Sequence, residues 1–186
     1  MIFAALQIDT AADKRIPLKK AEQTAKKILS LIQKIEMVKI ASIAGSIRRR
    51  KPTIGDIDII VGADIVSHKA IMEFFTHLPL IKRVLLKGAT KASVLLQDNI
   101  QVDIRVVRVD DYPSALLYFT GSKDHNVRLR SLAKRKGLKL NEYGVFSIKS
   151  GKRISIQSEE EIYKLMDLPY IKPERRIGGG EFNTVP

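Results

Sequence analysis

Asp56 and Asp58 stand two residues apart at the head of Asp56-Ile57-Asp58-Ile59-Ile60-Val61, a β-branched run that reads as a strand. On a strand successive side chains alternate faces, so both carboxylates project from the same side. Held that close they repel unless a cation lies between them. Hard oxygen donors of this kind suit Mg²⁺, with Mn²⁺ as the alternative. A third acid, Asp103, lies within the apolar run Ile100-Gln101-Val102-Asp103-Ile104-Arg105-Val106. An unpaired carboxylate there is expensive, so a partner is expected. If this strand neighbours the first, Asp56, Asp58 and Asp103 form one acidic corner able to hold two ions. Two ions can align the attacking and leaving oxygens of a phosphoryl transfer.

Gly45-Ser46 supplies the complementary half. It ends an apolar stretch at residues 38–44 and opens a turn, which offers backbone N–H groups and a hydroxyl to an anion. Arg48, Arg49 and Arg50 follow and are expected to neutralise phosphate charge. Each feature alone has an ordinary reading, an Asp-x-Asp in a solvated turn or an arginine run on a surface. Converging on one spot, they describe a triphosphate site. Asp9, Asp13, Asp64, Asp98, Asp110, Asp111 and Asp167 fall in turns or at ends and read as solvated. His68 and His77 flank a surface helix.

The elements that must position these groups follow from apolar spacing. Residues 17–36 read as a helix with Pro17 near its start, and residues 38–44 and 56–61 as strands. A helix over 67–78 takes Ser67 as its N-cap. Strands are expected over 81–87, 92–97 and 101–109, with Asp98-Asn99 turning between the last two. A short helix over 112–118 stops at Gly121, and Ser122 caps a second that runs to Lys136 and ends at Gly137. Residues 138–156 read as short strands with a turn at 149–151, and Ser158 with Glu161 as a capping box before a helix through Met166. The fold class is therefore α/β (α+β). A mixed-sheet domain spans 16–119 and a small basic α+β subdomain spans 120–181, with 1–15 a remnant or linker and 182–186 a tail.

The chain has 186 residues, 45% of them hydrophobic, which supports a real core. Thirty-three Lys and Arg against 20 Asp and Glu give a formal charge of +13, and a polyanion is the natural partner. Asn126, Arg130 and Lys134 recur every four residues, making one helix face polar and cationic. The absence of cysteine excludes disulfides, thiolate metal sites and a cysteine nucleophile. No apolar run approaches the roughly 20 residues that span a bilayer, and the N-terminus lacks the features of a signal peptide. A cytoplasmic protein without a membrane partner is expected.

Gly45-Ser46-Ile47-Arg48-Arg49 followed by Gly55-Asp56-Ile57-Asp58 resembles the signature of family X DNA polymerases, within the nucleotidyltransferase superfamily. The likeness continues in Leu117-Tyr118-Phe119-Thr120-Gly121-Ser122-Lys123-Asp124-His125-Asn126 and in Asn141-Glu142-Tyr143-Gly144, and covers residues 15–181. Lys123 and His125 resemble the bacterial and archaeal branch. The resemblance implies a nucleotidyltransferase palm closed by a thumb-like subdomain, acting in short-gap DNA repair. It implies that Asp56 and Asp58 bind both metals, while Asp103 binds the catalytic one and helps deprotonate the primer 3′-hydroxyl. The deoxynucleoside triphosphate would meet Gly45, Ser46, Arg49 and the Gly55 backbone through its phosphates, Tyr118 and Phe119 through its sugar, and Asn126 at the base-pair edge, with Gly121 also among its contacts. Primer-template or gapped DNA would meet Lys123, His125, Arg128, Arg130 and Lys134, and the enzyme would act as a monomer.

Lys123 stands where the animal repair enzymes carry an acid. The family's N-terminal helix-hairpin-helix domain and the metallohydrolase domain of microbial members are outside the sequence, so a catalytic core alone is expected. The rival readings are another nucleotidyltransferase, adding tRNA ends or modifying a protein or small molecule, and an inactive DNA-binding module.

Overall fold

The computed structural model describes residues 15–182. The expectations for a remnant before Arg15, for Asp9 and Asp13, and for a tail after Phe182 lie outside the described residues. In chain order, β1 (Ile16–Pro17) leads into α1 (Leu18–Ile32), β2 (Val38–Ile43), the single turn α2 (Gly45–Arg48), β3 (Thr53–Ile54) and β4 (Asp56–Ala63). Then come α3 (His68–Thr76), β5 (Ile81–Lys87), β6 (Lys91–Leu96) and β7 (Gln101–Val107). The chain continues through α4 (Tyr112–Thr120), α5 (Lys123–Arg135), β8 (Leu138–Asn141), β9 (Gly144–Ser147), β10 (Arg153–Ile154) and α6 (Glu159–Leu165).

Five strands form one mixed sheet in the order β2-β4-β7-β6-β5, in which β4 and β7 run parallel and every other pair antiparallel. Alternation along β4 and β7 decides what each face does. Ile57, Ile59, Val61, Val102, Ile104 and Val106 point into a core closed by Ala21, Ala25, Ile28 and Ile32 of α1 and by Ile71, Met72 and Phe75 of α3. The opposite face carries the acids at one end. Further along, Ile60 packs under Tyr112 and Ala115 of α4 together with Ala44. One strand thus has an apolar face, and a second face that is acidic where it is uncovered and apolar where α4 covers it.

Leu117, Leu129, Ala133, Leu140, Val145, Ile162 and Tyr163 gather in a separate core, so α4 contributes to both. Leu117, near the end of α4, thus joins the core of the three-stranded β8-β9-β10 unit, and α5 packs on β8 of the same unit. Ser122 caps α5 as expected, accepting from the His125 amide at 3.2 Å.

Three local expectations are corrected. Ser67 makes no side-chain cap, because a 3₁₀ turn over Ile65–Ser67 precedes α3 and its carbonyls serve instead. His68 is buried rather than superficial, its Nε2 3.2 Å from the Ala63 carbonyl. Asp111 is buried against the Arg153 guanidinium, not solvated, which ties the sheet unit to β10. Among the described residues no helix is long and apolar enough to cross a membrane.

Candidate active site

The parallel register places Asp58 directly opposite Asp103, and Asp56 opposite Gln101. The three acids therefore share one sheet face, as the alternation predicts. Asp103 is steadied from two sides: Ser93 Oγ, across the antiparallel β6–β7 ladder, and Gln101 Nε2 donate to its Oδ1 at 2.7 and 2.9 Å. Lys91 Nζ lies 3.8 Å from its other oxygen. Burial raises the pKa of Asp58 to about 7, reinforced by the charges of Asp56 and Asp103 and opposed by Arg105 and Arg49. Asp56 is raised as well, by burial and then by Asp103. Among the described residues no group of three His, Cys, Asp or Glu is already drawn together tightly enough to hold a metal ion. The donor set nonetheless fits a hard divalent cation. Its ligands are all carboxylate oxygens, partly buried and crowded on one sheet face, where like charges favour a cation between them.

Gly45 sits at the junction of β2 and α2 with φ +58, and a Cβ there would come within 2.0 Å of Asp58 Oδ2. Only glycine allows both that backbone conformation and so close an approach of the loop to the carboxylate. The Ala44 amide donates to the Asp58 carbonyl at 2.8 Å and pins the junction to β4. Ser46 follows, and the amides that open a helical turn have no partner inside it.

The three arginines separate. Arg48 turns away to pair with Glu159 and to donate to Thr120 Oγ1 at 2.8 Å. Arg50 is exposed, 3.8 Å from Glu22. Only Arg49 faces the acids. One of its terminal nitrogens donates to the Thr120 carbonyl, while its Nε is buried with no hydrogen-bond partner. Burial lowers its pKa against the pull of Asp58 and Asp56. A buried donor without a partner is a site waiting for an acceptor.

A cavity of about 330 Å³ opens here. Its walls are Gly45, Ser46 and Arg49 on one side and Asp56 and Asp58 on a second. Tyr118, Phe119 and Gly121 close the third, with Lys123, Asn126 and Arg130 of α5. Asn126 Nδ2 donates to the Tyr118 carbonyl at 2.6 Å, and the Arg130 guanidinium lies 5.9 Å from the Tyr118 ring centre. Asp103 belongs to the same sheet face but does not line this cavity. Gly55 also stands off the wall, against Arg15.

Lys134 is exposed on α5, and Arg128, also exposed, donates to the Gly179 carbonyl at 2.7 Å. His125 is corrected. It is wholly buried between Glu181 and Tyr163 and stacked on Phe182, so it cannot reach a DNA strand. Sequence reasoning missed Arg15, which donates to Thr53 Oγ1 and to the Thr53 carbonyl and draws the Asp56 pKa down. It also missed Arg105, 4.2 Å over the Phe119 ring. Arg105 had a signal, a cation two residues beyond Asp103 on the same face.

The DNA polymerase beta palm matches residues 15–112 and the DNA polymerase beta thumb residues 115–177. The chain is 38% identical over 173 residues to the DNA polymerase/3'-5' exonuclease PolX of Bacillus subtilis, covering 91% of this chain and 30% of that protein. It is 26% identical to DNA polymerase lambda of Rattus norvegicus, covering 87% of this chain and 33% of that one. The chain thus spans about a third of the length of these two relatives. Repair DNA polymerase X of African swine fever virus is 28% identical over 153 residues, 76% of this chain and 86% of that protein. Among solved structures, polymerase beta of Leishmania infantum in its ternary P/T complex superposes with a TM-score of 0.77 at 26% identity, over 89% of this chain and 78% of that one.

Proposed function

The chain belongs to the family X DNA polymerases, with the palm and thumb of DNA polymerase beta, and from that premise we propose that it is a template-directed DNA polymerase core. It adds deoxynucleotides to a primer 3′-hydroxyl by two-metal nucleotidyl transfer, in short-gap repair. One observation carries the reading: Asp58 and Asp103 stand in register on adjacent parallel strands, beside a cavity that also receives Arg49 and α5.

Enzymes of this family work with divalent metal, here two Mg²⁺ ions, with Mn²⁺ as a substitute. Asp56, Asp58 and Asp103 would hold them. When bound, such ions activate the attacking oxygen and neutralise triphosphate charge. The chain's own residues do the rest. Asp103, whose carboxylate Ser93 and Gln101 orient, would take the proton of the primer hydroxyl. The hydroxyl oxygen bonds to the α-phosphorus, the bond from that phosphorus to the bridging oxygen breaks, and pyrophosphate leaves. Arg49 offers its unpartnered Nε to phosphate, and the Gly45-Ser46 turn offers backbone amides. Tyr118 and Phe119 back the sugar, Asn126 meets the base-pair edge, and Arg130 lies towards the template. The DNA runs along the exposed cations of α5, and the enzyme acts as a cytoplasmic monomer.

Primer extension on a defined template tests this. The complementary deoxynucleotide should be added in the presence of Mg²⁺ and not after chelation. Addition that ignores the template, or transfer to tRNA or protein instead, would overturn the reading in favour of another nucleotidyltransferase. DNA binding with no transfer would mark an inactive module.

A further inference from the structure

Helix α5 carries two seams side by side. His125, Leu129 and Ala133 are buried at four-residue spacing, while Asn126 and Arg130, each one position further on, face the nucleotide cavity. Successive residues of a helix are about 100° apart, so any roll of the buried seam turns the cavity seam by the same angle. Among residues 123–126 of the first turn only His125 is buried. The setting of α5 at its cavity end therefore depends on how this one ring is seated.

The ring is seated by directional contacts. Its Nδ1 lies 3.0 Å from Glu181 Oε1 and its Nε2 2.8 Å from the Tyr163 hydroxyl, while Phe182 stacks on it at 4.8 Å and 26°. Glu181 is itself fixed, since the Gly178 and Gly179 amides donate to its two oxygens at 2.6 Å each. The strap made by residues 176–182 grips α5 elsewhere too. The Ser122 amide donates to the Arg176 carbonyl at 3.3 Å, and a Cβ on Gly178 would fall 2.3 Å from Asp124 Cβ. A leucine at 125 would bury as much surface but set no direction, whereas two hydrogen bonds and a stacked ring fix the orientation. Burial disfavours charge on the imidazole. The neutral ring has one donor and one acceptor, which matches a carboxylate on one side and a hydroxyl on the other.

We propose that His125 is a positioning residue for the incoming nucleotide. The strap of residues 176–182 and Tyr163 hold its ring, and the ring sets the roll of α5 that presents Lys123 and Asn126 to the cavity. His125 touches neither nucleotide nor DNA. The inference rests on the polymerase reading above.

The test measures equilibrium binding of a complementary deoxynucleoside triphosphate, with Mg²⁺, to the chain on a dideoxy-terminated primer-template. Single-nucleotide insertion is followed alongside on an extendable primer. His125→Phe keeps the ring and its stacking but loses both hydrogen bonds, and Tyr163→Phe loses one. Nucleotide affinity should fall about tenfold in His125→Phe and about threefold in Tyr163→Phe, with primer-template affinity within about twofold of wild type. Adding Tyr163→Phe to His125→Phe should weaken nucleotide binding no further, because the Tyr163 hydroxyl acts through the His125 ring, and a further loss overturns the proposal. Ile162→Val, a thumb-core control that lowers Tm, should leave nucleotide affinity unchanged. Unaltered nucleotide affinity in folded His125→Phe, or in Tyr163→Phe should His125→Phe not fold, overturns the proposal. So does a loss that the control reproduces at equal Tm. A wild-type chain that neither binds nor inserts nucleotide overturns the polymerase reading itself.

Discussion

Asp58 combines two demands that conflict. A raised carboxyl pKa means that the native state keeps its proton where the unfolded chain has already lost it. The group's contribution to stability is full below about pH 4 and is lost as pH rises through about 7. Metal-free protein is therefore least favoured by this group at the pH where its carboxylate is needed. Asp58→Asn in chelator should raise Tm by about 2–6 °C at pH 8, and the gain should vanish near pH 4. Calorimetry across that range decides it, and no gain at pH 8 would mean that the charge is already compensated. At Asp103 the exchange costs the fold little, because Ser93 and Gln101 can still donate to an amide oxygen. Asp103→Asn should leave Tm within about 1 °C of wild type and slow insertion by about a thousandfold. Near-normal turnover in the folded variant would end the two-metal assignment. The alternation that pairs Asp56 with Asp58 was legible from DIDIIV alone. The donors that hold Asp103 were not, since Ser93 meets it only through the β6–β7 register.

At the scale of elements, helix and strand spans followed apolar spacing closely, because Ala21, Ala25, Ile28 and Ile32 do face one core at that period. What spacing could not carry was pairing between distant segments. The parallel β4–β7 neighbourhood requires α3, β5 and β6 to be laid aside first. Arg48 reads as a phosphate ligand until Glu159, 111 residues later, claims it. The resemblance put His125 among the DNA contacts, and the strap that buries it is a glycine-rich stretch with no periodic signal to warn of it. The β2–α2 junction shows how much an element boundary can control. Gly45→Ala forces a side chain into a left-handed conformation, at a cost of about 1 kcal/mol. It also drives its Cβ onto the Asp58 carboxylate. The fold should survive with a Tm lower by a few degrees, while insertion should fall by about a hundredfold through displacement of Asp58. Steady-state insertion kinetics beside a melting curve would separate the two effects, and parallel modest losses in both would deny Gly45 any special place.

The formal charge of +13 pointed to a polyanion but could not say where it binds. The fold separates the signs: acids converge on one end of the sheet, Lys123 and Arg130 of α5 line the cavity beside them, and Arg128 and Lys134 are exposed further along the same helix. Arg128 commits one nitrogen to the Gly179 carbonyl and Arg130 its Nε to the Asn126 carbonyl, so both keep further donors for phosphate, alongside the exposed Lys134. Each contact with a duplex phosphate releases counterions, so log affinity for primer-template should fall linearly with log salt. Three or four such contacts give a slope of about −3, or close to a hundredfold loss between 50 and 200 mM. Arg130→Ala and Lys134→Ala should each flatten that slope by about one, uniformly across sequences, because phosphates carry no base identity. Asp103→Asn should leave the slope where it is. Anisotropy titrations of a labelled primer-template at four or five salt concentrations read all three variants against wild type. A slope that neither α5 variant changes would move the DNA to another face of the molecule, and the thumb helix would then have to be explained by the nucleotide alone.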